Sequence, residues 1–358
     1  MTCDTVGGVW TYTVELIRAL SNHNIHFHLV TAGALLNKAQ RDQVDQLSNV
    51  SLYETDYKLE WMDNPWTDID NSGLHLIELE RKIAPDLIHL NSYSYASLPF
   101  LAPVLVVAHS DVFSWWLSTR KANPGAEWQE YFNRVKAGLE KAACVVAPSH
   151  AMLGMLSQIY TAPKKAFVIY NGRNEERFRI DKKENTLMCA GRLWDAAKNH
   201  ELLIASANNI RGTIKMAGET KSEHNVHSNV IFLGRLNEWQ MADELASSLI
   251  YVSPAKYEPF GLSILEAALS GCALVLGDIP SLREIWKDSA FYVNTGDATE
   301  LANTCNRLLD DPSLAEEFGQ KALQRAKLFS LQKMAGRYAT LYDDLLMTRK
   351  EIETKEMV

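Results

Sequence analysis

Cysteine is scarce in this sequence, and no two cysteines have the spacing of a metal-binding or redox pair. The five in 358 residues are Cys3, Cys144, Cys189, Cys272 and Cys305. A disulfide framework usually shows an even number of cysteines at regular spacings, and a structural zinc site shows closely spaced thiols. We therefore expect neither kind of site, and a reducing cytoplasm is the expected compartment.

Long apolar runs and an excess of basic residues are also missing. The longest apolar run, residues 101–108, contains Pro103 and is far shorter than the roughly 18 residues that span a bilayer. No basic stretch followed by an apolar core marks a secretion signal. The net charge is −8 at pH 7. Neither a nucleic acid nor an anionic membrane surface is therefore expected as the main partner.

Apolar strand segments alternate with amphipathic helical segments along the whole chain. Helices are predicted between the strands, for example at residues 9–21, 127–142 and 150–160. The predicted strands are residues 25–31, 86–90, 104–109, 144–147, 166–170, 186–190, 213–217, 230–233, 250–253 and 273–276. Strands rich in Val, Ile and Leu are typical of parallel sheets covered on both faces, and their alternation with helices indicates βαβ units. The predicted fold class is α/β with doubly wound, Rossmann-like sheets.

A polar stretch divides the chain into two such halves. Residues 171–185, NGRNEERFRIDKKEN, contain almost no apolar side chains and are predicted to be a linker. They separate an N-terminal domain of residues 1–170 from a C-terminal domain of residues 186–330, which is followed by residues 331–358. A length of 358 residues agrees with two domains of roughly 150 residues each. A cleft is expected between the halves, with ligands at the carboxyl ends of the strands.

The segment 257–268, YEPFGLSILEAA, has the strongest pattern for a ligand site. Glu258 follows a predicted buried strand, Gly261 allows a ligand to approach the backbone, and a helix then begins. The free N–H groups of that helix form an anion site, so a bound diphosphate would place a sugar near Glu258 and a ribose near Glu266. Two structural interpretations remain open. Ser263 and Glu266 have the spacing of a capping box, and Glu258 alone can be a solvated loop residue.

A second candidate is the segment 191–200, GRLWDAAKNH. Arg192 follows a predicted strand, and with Asp195 as N-cap, Lys198 would lie in the first turn of the next helix. A cation there opposes the helix dipole unless an anion is bound nearby, and Arg and Lys are residues that hold phosphate. The alternative is that both are solvated cations.

Weaker candidates lie in the N-terminal half. Gly7-Gly8 precedes a predicted helix and allows close backbone approach, although it can also be only a tight turn. His109 ends the apolar strand VLVVA, and Asp111 and Trp115 stand beside it. Indole faces stack on sugar rings or planar groups, so these residues are candidates for contacting a bound ligand. The alternative is that they only pack within the protein.

Two further features carry less weight. Asp68-x-Asp70 resembles a metal-binding DxD triplet, but no predicted strand leads into it, and we predict an exposed loop. Only residues 1–5 precede the turn at Gly7, so the first strand is predicted to be short.

Taken together, these segments resemble family four of the retaining glycosyltransferases, which have the GT-B fold. The resemblance covers nearly the whole chain and is carried by DTVGGVWTYTVELIRAL, VVAHSD, VVAPSHAM, VIYNGRNEERF, AGRLWDAAKNHELL and YEPFGLSILEA. The last two are strong together, because YEPFGLSILEA matches the family's Glu-x7-Glu pattern at Glu258 and Glu266. The resemblance implies two Rossmann-like domains facing a cleft, with a final helix at 331–351 that crosses back onto the first domain.

For the donor, the resemblance implies a distributed diphosphate site. Arg192 and Lys198 hold the diphosphate, and the backbone N–H groups of Gly261 and Leu262 assist them. Glu258 contacts the hydroxyls of the donor sugar.

The remaining donor contacts come from both halves of the chain. The resemblance implies that Glu266 binds the ribose and that Arg235 and Leu236, in FLGRL, meet the nucleobase largely through backbone atoms. Gly8 lies against the phosphates or the donor sugar, and His109 is close to the transferred sugar. The acceptor binds mainly on the N-terminal domain.

The activity implied is transfer of a hexose from a nucleotide sugar, most often a UDP-sugar in this family, with retention and without a metal or other cofactor. The acidic, Trp-rich N-terminal half favours a soluble sugar or small molecule near Asp111 and Trp115 over a membrane lipid. The alternatives are a GT-B sugar-nucleotide epimerase or hydrolase, a binding protein without catalysis, and a lipid or polysaccharide acceptor. No oligomeric state is predicted.

Overall fold

The computed structural model describes residues 1–219 and 227–356, with side chains up to residue 349. The chain forms two compact units. The first comprises Met1–Trp116, Ala122–Asn171 and Leu331–Val358, and the second comprises Leu117–Lys121 and Gly172–Ser330. Apart from the short excursion at 117–121, the chain therefore leaves the first unit after residue 171 and returns to it after residue 330.

The first unit contains two parallel sheets, with the strand orders β1-β2-β3 and β4-β5-β6-β7. The strands are β1 (Thr2–Asp4), β2 (Phe27–Ala32), β3 (Val50–Glu54), β4 (Ile88–Leu90), β5 (Val104–Val107), β6 (Cys144–Ala147) and β7 (Ala166–Val168). Strands β5 and β6 are buried along their whole length, as expected for parallel strands that are covered on both faces.

Helices connect these strands. They are α1 (Gly8–Ala19), α2 (Lys38–Asp45), α3 (Trp66–Ile83), α4 (Val112–Arg120), α5 (Gln129–Lys141) and α6 (His150–Ile159). Helix α1 begins directly after Gly7, which has a φ of 79°. That left-handed conformation strains any residue with a Cβ, and it lets the chain turn from β1 into the helix within three residues.

The second unit is built on one parallel sheet with the strand order β10-β9-β8-β11-β12-β13. Its strands are β8 (Glu184–Ala190), β9 (Thr213–Ala217), β10 (Val230–Gly234), β11 (Ser248–Ser253), β12 (Ala273–Gly277) and β13 (Phe291–Val293). Its helices are α7 (His200–Ser206), α8 (Glu238–Ser247), α9 (Leu262–Leu269), α10 (Pro280–Trp286), α11 (Ala298–Asp310) and α12 (Pro312–Ala326). Strands β8 and β11 are neighbours, so the loops at their carboxyl ends lie side by side.

The final helix, α13 (Leu331–Glu356), belongs to the first unit. Its buried residues recur every three or four positions, at Met334, Tyr338, Leu341 and Leu345, and they join the core that surrounds α1. This is the apolar stripe of an amphipathic helix packed on one face. No helix within residues 1–219 and 227–356 is both long and apolar enough to cross a membrane.

The predicted α/β class with parallel, Rossmann-like sheets is confirmed. Strand 104–109 ends at Val107, two residues before His109, and β8 begins at Glu184 inside the stretch predicted as a linker. Strand β1 is short, as predicted, and pairs with β2. Strands β3 and β13 were not predicted, because every residue of β3 is half-buried without alternation and β13 is only three residues long.

Candidate functional site

The side chains of Lys198 and Glu258 form an ion pair in the second unit, between Nζ and Oε2. Lys198 lies in the loop after β8, and Glu258 lies in the loop after β11. Glu258 is buried, with 8% of its surface exposed. Its loop is anchored by the Ser281 hydroxyl, which donates a hydrogen bond of 2.6 Å to the Glu258 carbonyl oxygen. The structure thus brings together the two residues predicted to contact the diphosphate and the donor sugar.

Gly261 turns this loop into α9. It is the N-cap of the helix, with a φ of 89°. A Cβ at this position would lie 2.7 Å from Cδ1 of Ile264, so only glycine fits without strain or displacement. Leu262 is the first helical residue, and the opening N–H groups of a helix have no intrahelical partners. The positive end of the helix dipole is therefore presented beside Glu258, where an anion would be stabilised.

The segment around Arg192 differs from the prediction. Helix α7 begins at His200 with Asn199 as N-cap, so Lys198 precedes the helix and is not in its first turn. Asp195 is not the cap, because its carboxylate closes a local turn by accepting from the Ala197 N–H at 2.9 Å. Its other oxygen pairs with Nη2 of Arg192 at 2.7 Å.

Asn199 explains why Lys198 lies beside Glu258. Its φ is 57°, and its side-chain amide donates to the carbonyl oxygens of Pro254 at 2.8 Å and Thr295 at 2.9 Å. The Ala197 carbonyl in turn accepts from the Lys256 N–H at 2.8 Å. These bonds join the loop after β8 to the loop after β11 and hold Lys198 next to Glu258.

Glu266 does not form a capping box. Helix α9 has no side-chain cap, since Gly261 is the N-cap and Ser263 is already the second helical residue. The carboxylate of Glu266 instead forms an ion pair with Arg173, with 3.0 Å between Oε1 and Nε. The capping-box interpretation is therefore wrong, and the carboxylate has a charged partner.

Arg235 and Leu236, the predicted nucleobase contacts, follow β10. Gly234 has a φ of 67°, and its carbonyl accepts from the Gly218 N–H at 2.8 Å. The Arg235 side chain is exposed and pairs with Glu219, with 3.0 Å between Nε and Oε1. Their contact with a base remains a prediction.

His109 is fixed by Asn91 in the first unit. The Asn91 amide donates from Nδ2 to the Thr2 carbonyl at 2.7 Å, so its Oδ1 faces His109 and accepts from Nε2 at 2.8 Å. The Tyr12 ring packs edge-on against the imidazole, with 4.6 Å between centroids. Burial lowers the His109 pKa to about 3. The ring is therefore neutral at pH 7, and Nδ1 is left as its acceptor nitrogen.

The other candidates of the first unit have different surroundings. Gly8 opens α1. Asp111 is buried, and its Oδ1 accepts from the Ser114 N–H at 2.9 Å and from the Tyr160 hydroxyl at 2.8 Å, which fixes the start of α4. Burial raises the Asp111 pKa. Trp115 lies on α4, and its acceptor contact, like that of Asp111, remains a prediction.

The DxD triplet is not in a loop. Asp68 and Asp70 lie in the first turns of α3. Asp68 accepts from the Lys58 N–H at 3.1 Å, and Asp70 pairs with Arg134 at 2.5 Å, so both carboxylates have structural partners. The loop prediction is wrong because the acidic pair sits at a helix N-terminus, where negative charge is favoured. In the part of the chain that the structure describes, no group of three or more His, Cys, Asp or Glu is arranged to hold a metal ion.

Two family models match the chain, one on each half. The model for Glycosyltransferase Family 4 matches residues 6–177, and the model for Glycosyl transferases group 1 matches residues 172–325. The chain is a glycosyltransferase that contains both of these family domains.

Some proteins are similar to this glycosyltransferase over nearly its whole length. N-acetyl-alpha-D-glucosaminyl L-malate synthase of Bacillus anthracis is 22% identical over 383 residues, covering 98% of this chain and 97% of the relative. Sucrose-phosphate synthase from Thermosynechococcus elongatus has a TM-score of 0.82 at 20% identity and covers 96% and 95% of the two chains. Anabaena HepE in complex with UDP and glucose has a TM-score of 0.76 at 16% identity and covers 96% and 100%. The predicted GT-B fold is confirmed.

Three residues of this glycosyltransferase that position candidate side chains within its two units were not singled out from its sequence. Asn199 is within the quoted segment GRLWDAAKNH, but nothing about an Asn before a helix indicates two carbonyl partners. Asn91 follows a strand, which is the position where polar site residues are expected. Arg173 lies in a highly charged stretch that is typical of a solvated linker.

Proposed function

We propose that this glycosyltransferase moves a hexose from a UDP-sugar to a hydroxyl of a soluble, uncharged or weakly charged acceptor, with retention and without a metal. One observation carries the proposal. The Lys198–Glu258 pair lies beside the N-terminal end of α9, so a cation for a diphosphate and a carboxylate for sugar hydroxyls stand together.

The donor site is proposed to act by stabilising charge. When the bond from the anomeric carbon to the diphosphate breaks, the sugar becomes oxocarbenium-like and the leaving group gains negative charge. We assign Arg192, Lys198 and the backbone N–H groups of Gly261 and Leu262 to that leaving group. Fixed cations and dipoles of this kind contribute about 3–4 kcal/mol each to transition-state stabilisation. In this proposal they take the part that a divalent metal plays elsewhere.

Retention is proposed to follow from attack on the face that the diphosphate leaves. The acceptor oxygen forms its bond to the anomeric carbon as the bond to the phosphate oxygen breaks, and that phosphate oxygen takes the acceptor's proton. Glu258 is assigned to the sugar hydroxyls and not to nucleophilic attack, because its carboxylate is paired with Lys198. His109, neutral and held by Asn91, offers Nδ1 as an acceptor for a sugar hydroxyl.

The acceptor class is inferred from charge and from the aromatic residues of the first unit. Residues 1–165 contain 13 Lys/Arg and 17 Asp/Glu, a net charge of −4, and residues 54–70 hold six acids against Lys58 alone. Such a surface is repelled by an anionic leaflet. Trp115 on α4 suits a neutral ring, and Asp111 stands at the start of the same helix.

Transfer assays with labelled UDP-, GDP- and ADP-hexoses, each with and without a panel of simple sugars and polyols, test this function. We expect label to move from a UDP-hexose only when an acceptor is present. The anomeric proton of the product should have the same configuration as the donor. Acceptor-independent release of free sugar, an epimerised nucleotide sugar, or an inverted product would contradict the proposal. Lys198→Ala serves as the inactive control.

A further inference from the structure

Arg173 is a buried charge outside the set of donor residues discussed above. Its side chain is 3% exposed, and its Nε lies 3.0 Å from Oε1 of Glu266, whose side chain is 14% exposed. A guanidinium remains charged at any relevant pH, and burying it is costly unless it is paired. Its burial is therefore tied to the carboxylate of Glu266, the residue assigned to the ribose.

The backbone fixes Arg173 in place. Its N–H donates to the Phe329 carbonyl at 3.2 Å, and it forms a parallel bridge with Ser330. The guanidinium carbon lies 5.7 Å from the centroid of the Phe178 ring. The Arg173 backbone is thus held by hydrogen bonds, and its side chain lies near an aromatic ring. Both contacts restrict where the guanidinium can lie relative to the Glu266 carboxylate.

The same cluster borders the donor loop. The ring of Phe329 packs edge-on against that of Phe260, with 5.7 Å between centroids. Phe260 directly precedes Gly261, the N-cap of α9. The segment 260–266 is therefore contacted at both ends: Phe329 packs on Phe260, and Arg173 pairs with Glu266.

We propose that Arg173 is a positioning residue for the ribose of the donor nucleotide. It holds the Glu266 carboxylate in one orientation, so that this carboxylate accepts hydrogen bonds from the ribose hydroxyls. This inference rests on the proposed function, in which Glu266 binds the ribose. Without Arg173, a partly buried carboxylate loses this charged partner and the orientation that the ion pair gives it.

Discrimination between UDP and its deoxy forms measures this role. Dissociation constants are determined by calorimetry for UDP, 2′-deoxy-UDP and 3′-deoxy-UDP with the parent chain, Arg173→Met, Arg173→Lys, Glu266→Gln and the double variant. The parent should prefer UDP over at least one deoxy form by about tenfold, the value of a hydrogen bond to a charged group. Arg173→Met should lose most of that preference.

The conservative and double variants separate positioning from stability. Arg173→Lys keeps the charge and should retain part of the preference. Arg173→Met should have no further effect on it in the Glu266→Gln background. Lys215→Met removes another partly buried ion pair of the second unit, with Glu244 at 2.7 Å, and should lower stability without changing the ratio.

The outcomes distinguish this inference from the function on which it rests. If the parent does not prefer UDP over either deoxy form, or if Glu266→Gln keeps the parental preference, the ribose assignment is wrong. The inference then fails with it. If Glu266→Gln loses the preference but Arg173→Met keeps it, Arg173 is only a structural ion pair, and the ribose assignment stands. Should Arg173→Met not fold, Arg173→Gln removes the charge and keeps a polar side chain, and a parental preference for UDP in that variant would equally count against positioning.

Discussion

Lys198 and Glu258 are joined as an ion pair although 60 positions separate them in the chain. Each follows the carboxyl end of a strand, Lys198 after β8 and Glu258 after β11, and these strands are neighbours in the sheet. Asn199 bridges the two loops through its amide. A parallel sheet thus converts two distant sequence motifs into one charged site, at the edge where ligands of such sheets bind.

The pair leads to a prediction for Glu258→Gln. Because the carboxylate competes with a diphosphate for Lys198 and repels its charge, its removal should leave the affinity for UDP unchanged or higher. Transfer should nevertheless fall by about a hundredfold or more, since contacts to the sugar in the transition state are lost. Calorimetry with UDP and initial rates with the UDP-hexose give the two values. A tenfold weaker UDP affinity with rates close to those of the parent would contradict this assignment, and Glu244→Gln is the matched control.

Metal removal should not affect transfer. In the proposed site the charge of the diphosphate is met by Arg192, Lys198 and the start of α9. Excess EDTA should therefore leave initial rates within about twofold of those without chelator, because protein groups and not a metal ion neutralise the charge of the diphosphate. Complete loss that manganese or magnesium restores would refute metal independence. The DxD pair would then need a new explanation, since Asp70 is engaged by Arg134.

His109 should make the stability of the first unit dependent on pH. Its folded-state pKa of about 3 lies below the unfolded value near 6.5. The unfolded chain therefore binds the proton first, and the stabilisation present above pH 6.5 is lost as the pH falls. Between pH 7 and pH 5 this loss amounts to about 2 kcal/mol. The free energy of unfolding is measured by urea denaturation at pH 7 and pH 5 for the parent and for His109→Gln. Between these pH values it should fall by about 2 kcal/mol less in His109→Gln than in the parent. Equal losses in the two proteins would show that His109 has no lowered pKa.

The acceptor proposal predicts weak binding to membranes. With a net charge of −4 over residues 1–165, the protein should not float with liposomes that contain anionic lipid, since such a leaflet repels negative charge. Neutral liposomes and several salt concentrations serve as controls. Strong, salt-sensitive flotation with the anionic vesicles would indicate a membrane acceptor and would assign Trp115 and Trp116 to lipid contact.

Much of the fold could be predicted from the sequence because strand composition is so clear. The segments CVVA and TIKMA are followed directly by Pro148 and Gly218, which end a strand, and both strands are found at the predicted bounds. Strand β3, VSLYE, could not be predicted in this way, because its residues are half-buried on both faces. Its place is set by pairing with β2, which is a tertiary effect.

The site could be predicted only as far as its motifs reach. Glycine before a helix and the order of Arg192, Lys198, Glu258 and Glu266 are visible in the chain. The partners of those residues are not visible in the chain. Asp195, for example, could act as a helix cap or accept a hydrogen bond that closes a turn, and the structure shows the second. Arg173 shows the same limit more strongly, since a charge in a polar stretch is expected to be solvated and this one is buried.

The central claim is that Arg192 and Lys198 hold the diphosphate of the donor, and the most direct test compares the affinities for UDP and uridine. The parent should bind UDP at least about a hundredfold more tightly, and the double variant Arg192→Ala/Lys198→Ala should lose most of that preference while its affinity for uridine is unchanged, because only phosphate contacts are removed. Arg179→Ala removes an exposed arginine of the same unit, paired with Asp243 at 2.7 Å, and should behave as the parent does. A double variant that still prefers UDP by the parental factor would contradict the account.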